Sequence, residues 1–128
     1  MIGYNVFTFL CIVCLHIIAD YLMQNKFLSD YKQKKNWKPY VEQNKSYKND
    51  YIMVLVTHAF LWSFITFLPL YIINVNESIK SILVIILNTV VHAFIDNLKC
   101  NKLRINLIQD QLFHLMQMLV TFILCYIC

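Results

Sequence analysis

Four long apolar runs constrain this chain more than any other feature, because each is long enough to cross a bilayer as a helix. A crossing needs about 20 helical residues, and the runs cover Tyr4–Met23, Tyr51–Ile73, Ile79–Leu98 and Ile105–Ile127. Hydrophobic residues occupy 59% of the 128 positions, more apolar surface than a soluble domain of this size can bury. The sequence therefore predicts an all-α integral membrane bundle of four transmembrane helices, forming a single domain over residues 1–128.

The first run resembles a signal peptide in length but not in its flanks. No basic segment precedes it and no small-residue cleavage site follows it, and it carries His16 and Asp20 within the apolar stretch. We therefore expect a retained helix.

Basic residues predict the orientation of the bundle. Residues 25–50 contain seven lysines, and the connection between the last two runs adds Lys99, Lys102 and Arg104, whereas the opposite side offers only Lys80, near Glu77. The positive-inside rule places both basic connections in the cytoplasm and both termini outside it, in a multi-pass protein of the plasma or inner membrane. The net charge of +4 is then a topology signal, and no nucleic-acid partner is expected.

All four histidines lie inside the apolar runs, and three have an aspartate four residues away. Residues at this spacing share one helix face. With alternating helix directions and a rise of 1.5 Å per residue, all four histidines fall within about 15 Å of the cytoplasmic boundary. We therefore predict one shared polar site, built from His16, Asp20, His58, His92, Asp96, Asp110 and His114.

These ionisable groups need compensation inside a membrane. A lone aspartate at mid-membrane costs about 2.5–3.5 kcal/mol, so three unpaired ones would cost close to ~10 kcal/mol. A divalent metal would supply the compensation, and imidazole and carboxylate ligands suit Zn, Mn or Fe. All seven residues are candidate ligands. Two metal-free alternatives stay open: a network that carries protons or ions, and a network that only holds the helices together.

Other kinds of site find little support in the sequence. With Gly3 as the single glycine, neither a phosphate-binding glycine loop nor a serine nucleophile elbow can form. Cys11 with Cys14, and Cys125 with Cys128, have metal-ligand spacing, but they lie at different levels of the bundle. We expect these cysteines to behave as small apolar residues.

The ordered motifs resemble a family of small bacterial and phage integral membrane proteins classed as a domain of unknown function. The motifs are His16-x3-Asp20-Tyr21-x2-Gln24, His58, His92-x3-Asp96-x2-Lys99 and Asp110-Gln111-x2-His114. The resemblance covers essentially the whole chain. It implies a helical membrane protein with these residues as its signature, and it adds Gln24, Lys99 and Gln111 to the candidate site. A looser likeness, in motif style only, is to bacterial membrane-bound metal-dependent hydrolases.

The leading hypothesis is a membrane-embedded, metal-dependent hydrolase. One of Asp20, Asp96 and Asp110 would act as general base, and Lys99 with the basic connection would attract an anionic head group. The expected partners are the bilayer, an anionic lipid or isoprenoid phosphate as substrate, and further copies of the chain. The first alternative is a transporter or channel for protons or metal ions. The second is a phage or defence membrane protein that acts by oligomerisation around a structural polar network.

Overall fold

The computed structural model describes residues 2–73 and 78–127, and the regular structure in both ranges is helical. In chain order the elements are α1 (Ile2–Ile17), a π-helical turn (Ile18–Leu22), α2 (Lys26–Tyr31), a 3-10 turn (Lys34–Trp37), α3 (Lys38–Gln43), a second 3-10 turn (Lys45–Asn49), α4 (Asp50–Thr66), α5 (Leu68–Ile73), α6 (Ser78–Cys100) and α7 (Leu107–Ile127). No strand occurs in these ranges, so the predicted all-α fold is confirmed. Glu77 and Cys128 lie outside the described residues.

Three helical segments of the described chain are long and apolar enough to cross a membrane, where the sequence predicted four. They are Asn5–Leu22, Ile79–Cys100 and Leu107–Cys125. The run predicted as one helix over Tyr51–Ile73 instead forms α4 and α5, separated at Phe67. Pro69 explains the break, because its nitrogen carries no hydrogen to donate to the carbonyl four residues earlier and its ring collides with that carbonyl.

The four long helices close a ring. Helix α4 packs against α6, α6 against α7, α7 against α1, and α1 against α4. Inside the ring, Trp62, Phe67, Ile12 and Met118 belong to one buried apolar cluster. The outward faces of α1, α6 and α7 expose many large apolar side chains, as expected of surfaces that contact lipid. The ring thus encloses a small interior into which all four long helices can direct side chains.

The lysine-rich segment between α1 and α4 contains short helices. Helix α2 begins after Asn25, whose side-chain oxygen accepts a hydrogen bond from the Leu28 N–H at 2.9 Å, a standard N-cap. Trp37 packs edge-on against Tyr31 and donates from Nε1 to the Tyr31 carbonyl at 2.7 Å. This aromatic packing gives the segment a defined shape, and α2 packs against α4.

Candidate metal centre

The histidines and aspartates predicted from the sequence converge inside the ring of long helices. Helix α1 and its π-helical turn carry one pair, α6 and α7 carry one pair each, and α4 supplies a lone histidine. All are buried except Asp20, whose side chain is 12% exposed. Together they form what we call the His/Asp cluster: His16, Asp20, His58, His92, Asp96, Asp110 and His114.

Two overlapping triplets of the cluster have metal-ligand spacing, and in each one ligand atom per residue lies within 4.8 Å of the others. In the triplet of Asp20, His58 and His92, the Nε2 atom of His58 lies 3.6 Å from Asp20 Oδ1 and 3.3 Å from His92 Nε2. A tetrahedral ion with bonds of 2.0–2.1 Å separates its ligand atoms by about 3.4 Å. This triplet could therefore hold a divalent ion after small adjustments.

The second triplet is His92, Asp96 and His114, and all three residues are buried. The Oδ1 atom of Asp96 lies 3.9 Å from His92 Nε2 and 3.7 Å from His114 Nε2. His92 belongs to both triplets, so one ion between them or two adjacent ions are both compatible with these distances.

Several buried atoms of the cluster lack a hydrogen-bond partner among the described residues. They include both ring nitrogens of His114 and the Oδ1 atom of Asp110, although His114 Nε2 and Asp110 Oδ1 lie only 3.3 Å apart. An unsatisfied buried polar atom costs roughly 1–3 kcal/mol. A cation at His114 Nε2 would remove part of that cost.

Stacking contacts help to orient two of the imidazole rings, and one of them, His92, also has a hydrogen-bond contact from Nε2 to His58 Nε2 at 3.3 Å. The Trp62 indole lies over His92 with ring centroids 4.0 Å apart and planes inclined by 15°, and His92 stacks on His114 at 4.3 Å. The Nδ1 atoms of both histidines lack hydrogen-bond partners among the described residues. Metal-bound imidazoles usually donate this second nitrogen to a carboxylate or carbonyl. Here the aromatic contacts, together with the His92–His58 contact, position the rings instead.

Asp96 and Asp110 each bond to a lysine through Oδ2 and face one or more histidines through Oδ1. Oδ2 of Asp96 accepts from Lys32 Nζ at 2.6 Å and also lies 3.3 Å from His58 Nε2, while Oδ1 faces His92 and His114. Oδ2 of Asp110 accepts from Lys99 Nζ at 2.5 Å, which leaves Oδ1 facing His114. With neutral histidines, the three aspartates of the cluster and these two lysines carry one net negative charge. A buried site with that charge attracts cations.

Both ring nitrogens of His16 have protein partners. Trp62 Nε1 donates to His16 Nδ1 at 2.9 Å. Because an indole N–H can only donate, Nδ1 is the acceptor, and the neutral ring carries its proton on Nε2. That nitrogen lies 3.1 Å from Gln111 Oε1. Neither triplet includes His16 or Asp110, and the ligand role predicted for these two residues stays a prediction.

All four sequence motifs fall within residues 7–127, the stretch matched by the model of a family described as a protein of unknown function, DUF3307. The chain belongs to the DUF3307 family. The resemblance to a family of unknown function, carried by the ordered motifs, is thereby confirmed. No curated protein and no solved structure matches the chain. The DUF3307 description assigns no activity, so the chemistry of the His/Asp cluster is the basis for any functional proposal.

The DUF3307 chain buries one lysine that the sequence did not single out. Lys32 was one of seven lysines used to predict topology, yet it is only 8% exposed and reaches Asp96. With the Gln24 amide turned to satisfy its neighbours, Gln24 accepts from Lys32 Nζ at 2.7 Å and donates to the Asp20 carbonyl at 3.3 Å. No local signal distinguishes Lys32, because its burial depends on how α2 packs.

Trp62 was also missed as a site residue, although a signal was present. It follows His58 by four residues, the same spacing that identified the His/Asp pairs, and it contacts both His16 and His92. A second local feature is the π-helical turn, in which the Met23 N–H donates to the Ile18 carbonyl at 2.9 Å. Such turns are rare and frequent at functional sites, and this one contains Asp20.

Proposed function

We propose that this protein is a multi-pass membrane protein with an intramembrane metal centre that hydrolyses a phosphorylated, lipid-like substrate. In this topology α4 and α5 together make the fourth crossing, since their 24 positions from Asp50 to Ile73 would span roughly 36 Å against a hydrocarbon core of about 30 Å. Both termini lie outside the cytoplasm, and the lysine-rich segment at residues 25–50 faces the cytoplasm.

The convergence of three imidazoles and Asp96 around one buried point carries this proposal. His58 and His92 are 3.3 Å apart at Nε2, and Asp96 offers one oxygen to His58 and the other to His92 and His114. We assign these four residues and Asp20 as ligands of one or two divalent cations. Nitrogen and carboxylate ligands suit Zn, Mn or Fe. His16 and Asp110 would then orient and support the ligands.

Hydrolysis needs a nucleophile and a base, and the cluster has candidates for both tasks. A divalent ion held by these ligands would provide a water molecule that is nucleophilic near neutral pH and would polarise a phosphoryl oxygen. Asp110 Oδ1 has no hydrogen-bond partner among the described residues, so it is free to accept a proton as general base. Lys99 holds the other Asp110 oxygen, and its side chain is 31% exposed. It can therefore face an incoming anion.

Charge balance favours an anionic substrate. With neutral histidines, the cluster and its two lysines carry one net negative charge, and one divalent cation would change this to one positive charge. A phosphodiester, or a phosphate monoester that keeps one proton, carries one negative charge and would restore neutrality in a site where uncompensated charge is costly. A phospholipid or an isoprenoid phosphate also places its phosphate near the membrane surface, at the end of the ring where Lys99 is exposed.

A proton or ion path is the second candidate, and one observation favours it. Asn88, one helical turn before His92, accepts hydrogen bonds at its Oδ1 atom from Gln117 Nε2 at 2.8 Å and from Thr121 Oγ1 at 3.1 Å. These groups extend the buried polar surface beyond the histidines. They bond to one another, however, and a transport path would need them to exchange partners.

The test is metal content combined with phosphate release. The purified protein, stripped with EDTA and reloaded with Zn, Mn or Fe, is compared with Asp96→Asn, His114→Ala and their double variant, and with Asp50→Asn as a carboxylate control outside the cluster. We expect both single variants and the double to lose metal to a similar extent, because residues that act as a unit are non-additive. Asp50→Asn should behave as wild type.

The hydrolysis products, a phosphorylated head group from a short-chain phospholipid and inorganic phosphate from an isoprenoid phosphate, should form in proportion to metal content across these variants. Unchanged metal content in both single variants would reject the metal centre. Metal binding with no release from either substrate, together with proton or metal-ion flux in proteoliposomes, would instead select the transport function.

A further inference from the structure

A surface pocket of about 520 Å³ lies beside the exposed part of Lys99. One wall is the 3-10 turn that begins at Lys34, and the other is the end of α6 with the connection to α7. We call it the basic pocket, and its polar lining is Gln33, Lys34, Lys35, Lys99 and Asn101. Three of these five side chains are lysines, and no carboxylate lines the pocket among the described residues.

Asn101 joins the two walls of the basic pocket through hydrogen bonds. Its Oδ1 atom accepts from the Lys34 backbone N–H at 2.7 Å, and its Nδ2 atom donates to the Lys32 carbonyl at 3.1 Å and to Asn97 Oδ1 at 3.0 Å. The walls are therefore fixed to each other by contacts that are far apart in sequence. A pocket fixed in this way is largely pre-formed, as ligand sites usually are.

Lys99 connects the basic pocket with the His/Asp cluster. Its ammonium group bonds to buried Asp110 at 2.5 Å, while the same residue lines the pocket. An anion bound beside Lys99 would therefore lie next to Asp110, the residue that we assign as general base. The other two lysines of the pocket make few competing contacts, the closest described one being Lys34 Nζ over the Tyr51 ring at 5.8 Å.

We propose that the basic pocket binds the phosphate group of the substrate, with Lys34 and Lys35 donating to the phosphoryl oxygens and Lys99 shared with Asp110. Ammonium groups form strong, charge-assisted hydrogen bonds to phosphate. The volume exceeds that of a single phosphate, so the pocket accommodates a diphosphate or a substituted phosphate head group. This assignment deepens the proposed function, because it names where the phosphorylated substrate is held.

Binding is measured directly, without metal and without catalysis, so that it does not depend on the His/Asp cluster. The protein is placed in nanodiscs of phosphatidylcholine in the presence of EDTA and titrated with inorganic pyrophosphate by calorimetry. A parallel titration uses a soluble short-chain phosphatidic acid, with short-chain phosphatidylcholine as its comparison. The pyrophosphate arm tests a free phosphate, and the phosphatidic acid arm tests a lipid head group.

The test variant is the double substitution Lys34→Gln with Lys35→Gln. Its matched control is Lys45→Gln with Lys48→Gln, which removes the same charge from exposed positions of the same segment outside the pocket. We expect the test variant to raise the Kd of the bound probe by at least about tenfold, because two charge-assisted hydrogen bonds are lost. The control should change the Kd less than about twofold. Unchanged thermal melting of both doubles would show that folding is intact.

Saturable binding of either phosphate probe that is lost only in the test variant supports the proposal, and the probe that binds more tightly identifies the source of the phosphate. Equal weakening in both doubles would overturn it, because the attraction would then be a general effect of surface charge. Absence of saturable binding of both probes to the wild type would overturn it as well. Pocket binding in a protein that fails to bind metal would refute the metal centre alone.

Discussion

Replacing Lys32 by methionine tests the most unexpected contact of the structure. Methionine keeps the aliphatic stem but removes the ammonium group that bonds to Asp96 at 2.6 Å. Both side chains are at most 10% exposed, so solvent screens the pair only weakly. Removing one partner of a buried ion pair costs about 3–5 kcal/mol, because it leaves the other charge unpaired. The Lys32→Met variant should lose stability in that range when metal is absent.

The double variant Lys32→Met with Asp96→Asn tests whether the loss of stability in Lys32→Met comes from the unpaired Asp96 carboxylate. Once the carboxylate is neutral, no unpaired charge remains, so the double variant should be more stable than the sum of the two single losses predicts. Saturating metal should also reduce the cost of Lys32→Met alone, because a cation at Asp96 takes over part of the charge of the lysine. A ligand at 100 times its Kd stabilises the native state by about 2.7 kcal/mol.

The assay is reversible unfolding in mixed detergent micelles, followed by far-UV circular dichroism, with EDTA and with added Zn or Mn. Lys38→Met, an exposed lysine of the same segment, is the control and should fall within about 0.5 kcal/mol of wild type. If Lys32→Met proves as harmless as Lys38→Met, the buried ion pair does not contribute as argued. If metal stabilises Asp96→Asn as much as wild type, Asp96 is not a ligand.

Three further predictions concern local structure. At the start of α7, the Gln109 N–H donates to Asn106 Oδ1 at 2.9 Å and the Asn106 N–H donates to Gln109 Oε1 at 3.0 Å. Asn106→Ala should therefore lower the free energy of unfolding by about 1 kcal/mol. An unchanged free energy of unfolding would contradict the capping role. Pro69→Ala should join α4 and α5 into one helix, seen as slower amide exchange around position 67; unchanged exchange would assign the break to tertiary packing. Trp62→Phe keeps an aromatic ring beside His92 but removes the hydrogen-bond donor to His16. It should lower the free energy of unfolding by about 1–3 kcal/mol and weaken metal binding. Lower stability with unchanged metal affinity would show that Trp62 does not support the metal centre.

Local periodicity was sufficient to predict the parts of the site that depend on one helix. The four-residue spacing of His92 with Asp96, and of Asp110 with His114, fixes a shared face for each pair wherever the helices lie. Helices α6 and α7 also begin and end within a few residues of the predicted runs. Their apolar stretches are long enough to specify a helix without help from neighbouring elements.

Two features, the helix break at Pro69 and the burial of Lys32, could not be predicted from the sequence, for different reasons. Pro69 was visible, but it lies in an apolar run, and high hydropathy alone suggested an uninterrupted helix. Lys32 carries the same charge as its neighbours in the lysine-rich segment, and only the packing of α2 turns it inward to Asp96. A basic residue beside a membrane helix was therefore interpreted as a surface charge, when it neutralises a buried carboxylate.

The contacts of Lys32 with Asp96 and of Lys99 with Asp110 bear on how the proposed metal site could form inside a membrane. Without Lys32 and Lys99, the aspartates of α6 and α7 would be unpaired charges until a cation arrived, and the chain would have to fold against that cost. Each lysine binds Oδ2 of its aspartate, and Oδ1 of each aspartate faces at least one histidine. The carboxylates can then stay ionised and oriented before any ion binds. In such an arrangement the chain can fold before it binds metal. Removal of a lysine should therefore lower stability most when EDTA keeps the protein free of metal, whereas removal of a histidine should mainly lower the amount of bound metal.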